Sequence, residues 1–280
     1  MSIEPNAVVR QYAPWSTSKA DTIRNCPLKF KYQYIDKVRG LISPKAGDAI
    51  VGKAVHKLLE YAISLNRPAA QFVGNVMSEF SLEGENADRF LAHMPATESL
   101  IVRLENYRQK RWGSPIPKIE QKLAVNLEGK SVAFFDDSKA FFRGVIDLSY
   151  RIPGKPHVVL LDHKTGKDRG IGYYKSQFDG YMWLIKGFYP ELEGVQIAVN
   201  FLQADKTEFS PFTYVRDAGE LCDHVVAFLN KATAKVENLE AARPGPLCPW
   251  CDFHSICPVH AADGTHGKEN TNEDGEGSNP

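Results

Sequence analysis

Val158-Val159-Leu160-Leu161-Asp162-His163-Lys164 is the stretch that decides the fold. A strand alternates its side chains with period two. Val158, Leu160, Asp162 and Lys164 therefore share one face, and Val159, Leu161 and His163 share the other. Apolar side chains on both faces mark a buried central strand. A carboxylate and an ammonium then emerge together at its C-terminal end. Burying either charge alone is costly, so the pair needs a partner, a metal or a water-filled cleft. Alone, Asp-x-Lys also fits a salt-bridged strand end.

Working outward, Pro153-Gly154-Lys155-Pro156 is a turn. Residues 141–151 before it form a strand in which Arg143, Val145, Asp147, Ser149 and Arg151 share a face. The two strands are neighbours, which brings Asp147 within about 5 Å of Asp162. Ile119, Gln121, Leu123, Val125 and Leu127 alternate in an earlier strand, followed by a Glu128-Gly129-Lys130 turn and a returning strand over 131–136. Downstream, 171–189 and 217–240 are expected to be helical, and 195–203 and 208–215 extended.

The first 112 residues carry helical patterns instead. Ser16, Thr17 and Ser18 offer N-caps to a helix interrupted near Cys26-Pro27. Ile50, Val51, Ala54, Val55, Leu58, Leu59 and Ala62 form the apolar stripe of a second helix. More helices are expected over 68–80, 86–94 and 97–112, with Pro95 as a break. Helices, then meandering strands, then a helix and further strands make a mixed α/β domain.

The 280 residues carry a formal net charge of zero, which excludes a uniformly basic coat for nucleic acid. A local excess exists: residues 16–57 hold nine Lys/Arg against three Asp/Glu, and Phe30-Lys-Tyr-Gln-Tyr34 interleaves aromatics with a cation. No leader pattern or membrane-length apolar run is visible, so a soluble, intracellular protein is expected. Residues 261–280 are polar and acidic and are expected to be a disordered tail.

Asp147 and Asp162 offer hard oxygen donors suited to Mg²⁺ or Mn²⁺. Lys164 beside them would hold a phosphate oxygen, and that set is what phosphodiester cleavage requires. Gln177 and Tyr181 are spaced i, i+4 and project from one helix face, either toward the cleft or as ordinary surface. His56 lies off its helix's apolar stripe, a metal ligand or phosphate contact if it is not merely surface. Gly52 one turn before it would let a nucleic-acid backbone approach. Gly47–Ala54 nearly spells a phosphate-cradling loop, but Ala54 lacks the hydroxyl and no strand precedes it, so the chain is not itself an ATP-driven motor.

Cys248-Pro-Trp-Cys251 and, five residues on, Cys257 form a thiolate cluster. Cys222 and Cys26 are the candidates for a fourth ligand. Cys222 sits on an apolar helical stripe with Leu221, Val225 and Leu229, which suits a structural thiol. One distant and three clustered cysteines look more like an iron–sulfur site than a zinc ribbon. His254 and His260 keep a zinc alternative open.

In this order, Ser16–Tyr34 with Cys26-Pro27, Gly52 and His56, Gly144-Val-Ile-Asp147, Asp162-His-Lys164, Gln177-Phe-Asp-Gly-Tyr181 and the cysteine cluster resemble the RecB-like exonucleases of the PD-(D/E)XK superfamily. The resemblance is to their iron–sulfur branch, with the AddB nuclease domain and small CRISPR-associated and phage-encoded exonucleases. It covers roughly residues 12–260. Ile146 stands where the superfamily's name has Pro.

The resemblance implies a restriction-endonuclease-like mixed sheet flanked by helices, with a helical N-terminal region and a C-terminal cysteine cluster. Residues 12–260 would form one nuclease domain with an iron–sulfur clamp. It implies metal ligation by His56, Asp147, Asp162 and the main-chain carbonyl of His163, with Lys164 as the catalytic lysine. Gln177 and Tyr181 would support the active site and contact DNA. Cys26, Cys248, Cys251 and Cys257 would hold a 4Fe–4S cluster. Glu120 sits where relatives often carry Glu, with its role left open. The implied activity is Mg²⁺- or Mn²⁺-dependent deoxyribonuclease, an exonuclease acting on single strands or DNA ends. It would work in the cytoplasm of a bacterial or phage-infected cell, with recombination or CRISPR-type protein partners and no membrane. The alternative is a non-catalytic iron–sulfur or zinc DNA-binding subunit.

Overall fold

The computed structural model describes residues 3–41, 43, 47–215 and 217–261; of the expected tail, 262–280 lie outside them. In chain order come helices α1 (Ala7–Gln11), α2 (Thr17–Asn25), α3 (Pro27–Phe30), α4 (Gly47–Leu65), α5 (Val73–Glu79), α6 (Gly84–Leu91) and α7 (Met94–Lys110). Strands β1 (Pro117–Val125), β2 (Ser131–Val132), β3 (Phe142–Arg151) and β4 (His157–Lys164) follow. Then come α8 (Lys175–Phe188), β5 (Gly194–Phe201), β6 (Lys206–Phe209), β7 (Thr213–Tyr214), α9 (Ala218–Thr233) and α10 (Pro258–Ala261). Among the described residues, no helix is long and apolar enough to cross a membrane.

The chain forms two compact units. The first comprises Met1–Asn25 with Gly47–Glu237, and the second Cys26–Ala46 with Asn238–Pro280.

The first unit is a mixed α/β layer structure. Its sheet runs β2-β1-β3-β4-β5-β6, with β7 also on β5. Among the described strands only β4 and β5 pair in parallel, and α8 supplies the crossover that a parallel pair needs. β4 lies centrally, and Val158 to His163 are all buried, as expected for a strand covered on both faces. The α4 stripe packs with Leu148, Tyr150, Val159, Leu161 and Ala198 on one side of the sheet. Pro95 corrects one expectation: it occupies the first turn of α7, where its missing N–H costs nothing, and so starts the helix.

The face alternation expected along β1 and β3 fails at one place. Ile119 and Leu148 belong with the α4 side of the sheet. Yet Val125 meets α8 at Gly187, and Gly144 faces Tyr181 and Leu184 of α8. Gln121 likewise reaches Ser149, whose hydroxyl donates to it at 3.0 Å. Ile119, Gln121 and Val125 therefore do not share a face, and neither do Gly144 and Leu148. Both strands turn over between these points. The ladder lapses there, at Glu120 opposite Asp147, and Glu120 adopts a left-handed φ of +47°. That conformation is unfavourable for a side chain with a Cβ and breaks the pleat.

α8 docks closely on this turned-over part. A Cβ added at Gly187 would lie 2.5 Å from the Gly129 carbonyl oxygen and 2.5 Å from Val125 Cγ1. Backbone cannot step aside cheaply there. Gly187→Ala is expected to cost about 1–3 kcal/mol by overpacking, which a thermal melt would show as a lowered Tm.

Candidate active site

The β3–β4 register, continued one step past Leu148 and Leu161, sets Asp147 opposite Asp162. The β1–β3 register sets Glu120 opposite Asp147. Three carboxylates therefore lie in one row across three adjacent strands, where the sheet turns over. α4 brings His56 to the same place, with Nδ1 3.5 Å from Asp147 Oδ2. His56, Asp147, Asp162, His163, Lys164, Gln177 and Tyr181 all line one cleft of about 450 Å³, together with residues of the loop after β4.

Each group has defined partners. The His163 main-chain N–H donates to Asp147 Oδ2 at 2.7 Å. The His163 ring meets the His56 ring edge-on at 5.9 Å, the Asn200 amide donates to His163 Nδ1 at 2.9 Å, and Thr207 donates to Asn200. Burial first, then the neighbouring His56 and Lys164, lower the His163 pKa to about 3, so this ring stays neutral.

Lys164 Nζ lies 2.6 Å from Asp162 Oδ2 and donates to Gln177 Oε1 at 3.2 Å. Gln177 Nε2 donates to Asp162 Oδ1 and to the Tyr181 hydroxyl, both at 2.7 Å. Tyr181 in turn donates weakly to Asp162 Oδ1, at 3.4 Å. The i, i+4 pair on α8 thus faces the cleft and fixes the Asp162 carboxylate on one side.

Gly52 lies against the loop after β4. A Cβ there would sit 3.1 Å from Thr165 Oγ1. What comes close to α4 at this point is the protein's own loop after β4.

The site is short of positive charge. Burial first, then Asp162 and Glu120, raise the Asp147 pKa well above the carboxylate range. Burial and Glu60 raise that of Glu120. Burial lowers that of His56, so its ring is a neutral donor of a lone pair. Asp162 Oδ2 is buried, with the Lys164 ammonium 2.6 Å away as its partner. Three carboxylates with one lysine among them, one of them resisting ionisation, make the electrostatic demand a divalent cation meets. Among the described residues, His56, Glu120 and Asp147 place one donor atom each within 4.8 Å of one another. An imidazole and carboxylate oxygens suit Mn²⁺ and Mg²⁺. The sequence singled out every cleft residue of this set except Glu120, whose role it left open. The β1–β3 register that puts 120 opposite 147 spans a connection containing β2, and no local motif announces it.

The second unit contains Cys26, Cys248, Cys251 and Cys257. Its two segments meet through the Leu28 N–H to Ala241 carbonyl bond, the Lys31–Glu240 ion pair and the Tyr32–Phe253 ring contact. Cys26 Sγ accepts the Lys29 N–H at 3.4 Å, and Cys248 Sγ accepts the Gly245 N–H at 3.3 Å. Burial raises the Cys251 pKa, and the nearby Cys26 and Cys257 raise it further. All-thiolate donors with N–H···S bonds fit a soft metal centre. Tetrahedral zinc, with Zn–S of about 2.3 Å, would draw the sulfurs to about 3.8 Å. Cys222 stands apart in the first unit, where its thiol donates to the Leu127 carbonyl and burial pushes its pKa up to about 11.

Comparison with known proteins bears on the whole chain. No curated protein matches it. The crystal structure of SSO0001 is 17% identical, with a TM-score of 0.34, over 84% of this chain and 95% of that one. The crystal structure of a putative exonuclease from Eubacterium rectale is 16% identical, with a TM-score of 0.45, over 95% of this chain and 96% of that one. A family model matches residues 14–258, a span that takes in the helical N-terminus, the carboxylate cleft and all four clustered cysteines, and by that match the chain belongs to the PD-(D/E)XK nuclease superfamily.

Proposed function

We propose that the chain is a divalent-metal-dependent deoxyribonuclease, an exonuclease acting on single strands or DNA ends. A 4Fe–4S cluster held by Cys26, Cys248, Cys251 and Cys257 would stabilise it as a clamp, with residues 12–260 as the working nuclease. The observation that carries the reading is the convergence of Asp147, Asp162, Lys164, His56 and the His163 main chain in one cleft. The all-cysteine donor set supports a cluster.

His56, Asp147, Asp162 and the His163 carbonyl would hold Mg²⁺ or Mn²⁺, with Glu120 beside them. The ion supplies Lewis acidity at a phosphoryl oxygen and lowers the pKa of water. The protein's own groups do the rest. Lys164 is aimed by Asp162 and Gln177 and stabilises the negative charge that grows on the phosphate oxygens. Gln177 and Tyr181 hold Asp162 Oδ1 and so fix the carboxylate's rotamer.

The test is digestion of end-blocked and open single- and double-stranded DNA by anaerobically purified protein, with Mg²⁺, Mn²⁺ or EDTA. Metal-dependent loss of open-ended substrate is expected, and none with Lys164→Ala. Full activity in Lys164→Ala, or DNA binding without cleavage by the native protein, would overturn the assignment. Glu120→Gln is expected to weaken metal binding by about 10-fold or more, seen as a smaller metal-induced rise in Tm.

A further inference from the structure

We propose that Tyr173, flanked by Arg169 and Lys167, is a stacking platform for an unpaired base beside the scissile phosphate. This rests on the nuclease reading and gives the same cleft its substrate class: single-stranded nucleic acid.

The loop between β4 and α8 forms one wall of the cleft. Lys167, Arg169, Tyr173 and Tyr174 line it together with Asp147, Asp162 and Lys164. The two tyrosines behave differently. Tyr174 is half-buried, its ring centre 6.4 Å from Phe178 and 6.3 Å from Phe201, and Lys164 Nζ lies 4.7 Å above it. Tyr173 is 62% exposed and meets Tyr174 edge-on at 5.1 Å. The Arg169 guanidinium sits 4.7 Å from the Tyr173 ring centre and donates to its hydroxyl at 2.5 Å. An aromatic ring is thus held in place at the mouth of a catalytic cleft with most of its surface in water. A single ring separates it from the lysine that would act on phosphate.

The charges around it are arranged for a polyanion. The loop's one acid, Asp168, is turned onto Lys206 at 2.6 Å and caps the Gly170 N–H. Lys175 is paired with Asp179. Lys167 and Arg169 are exposed and, among the described residues, no carboxylate pairs with either. Two cations beside an exposed ring can bind successive phosphates while the base stacks. In a duplex both faces of a base are covered by its neighbours, so such a platform favours an unpaired one.

The test uses the full-length native protein with Tyr173→Ala, Tyr173→Phe and Tyr173→Trp variants. Binding of a single-stranded oligonucleotide containing 2-aminopurine is followed by fluorescence in EDTA, where nothing is cleaved. Native, Phe and Trp proteins are expected to quench the probe, and Ala to lose the quench. In Mg²⁺ or Mn²⁺, Ala is expected to raise KM for single strands roughly 5- to 150-fold, the range of one base–aromatic stack. Its kcat should hold within about 2-fold, a split expected of a group that binds without touching the reacting atoms. An Ala variant that quenches and cleaves single strands like the native protein overturns the platform. A native protein that cleaves nothing overturns the nuclease reading instead, while the quench still decides whether Tyr173 stacks a base.

Discussion

Asp147→Asn is expected to abolish cleavage, by at least about 10³-fold, and yet to raise the melting temperature of the metal-free protein. The two effects share a cause. Asp147 is buried beside Asp162 and in the field of Glu120, and its charge is disfavoured. Asparagine keeps the shape, and its carbonyl still accepts the His163 N–H that Asp147 now takes at 2.7 Å. It removes a negative charge that only a cation would make favourable. About 1 kcal/mol relieved in a chain of this size is worth roughly 2–4 °C. The pH dependence has a definite sign. The folded-state pKa of Asp147 is raised, so the folded chain binds the proton more tightly than the unfolded one does. The contribution to stability is complete below the ordinary carboxylate pKa and is lost as pH rises through the raised value. Native protein in EDTA should therefore lose stability across that window, and Asp147→Asn should lose less. Added Mn²⁺ should restore the native protein and leave the variant unmoved. A variant whose metal-free Tm falls, or which still gains stability from Mn²⁺, removes Asp147 from the proposed metal site.

Much of this was legible in the sequence because β4 carries its own evidence. Six consecutive residues buried on two faces leave few alternatives to a central strand, and the chain reversal at Gly154 brings Asp147 to Asp162. The α4 stripe and the α8 pair, Gln177 and Tyr181, follow helical periods without interruption. What escaped was the turn-over at Glu120. Period-two counting assumes an unbroken pleat, and one left-handed residue reverses the facing beyond it. Nothing in the local pattern Lys118-Ile-Glu-Gln-Lys122 announces that conformation, since Glu is a poor residue for it. The energy that allows it comes from packing distant in sequence, α4 on one side of the break and α8 on the other. The contact of Gly52 with Thr165 was illegible for the same reason: that loop lies more than a hundred residues away in the chain.

Cys26→Ala is expected to have the largest effect on stability. The second unit has little core of its own. Its buried apolar side chains among the described residues are Pro27, Leu28, Phe30 and Phe253, and its two segments are joined through the intervening residues 47–237. Units this small require a staple. A cluster ligated by Cys26 and the Cys248, Cys251 and Cys257 group would close a loop of about 220 residues, which chain-entropy arithmetic written for disulfides values at roughly 5 kcal/mol. That rivals the net stability of many domains. Thiols lacking the cluster would also leave Cys251 half-buried with its charged form disfavoured. Anaerobically purified native protein is expected to be brown and to contain iron and sulfide. Cys26→Ala is expected to be colourless and either insoluble or cut by protease within 26–41 and 238–261. Cys222→Ala is the control: it removes a thiol bonded only to the Leu127 carbonyl and should keep the colour. A colourless, soluble and fully active Cys26→Ala protein would show that the cysteines do not hold the second unit together. Stoichiometric zinc in place of iron would leave the staple intact and change its chemistry.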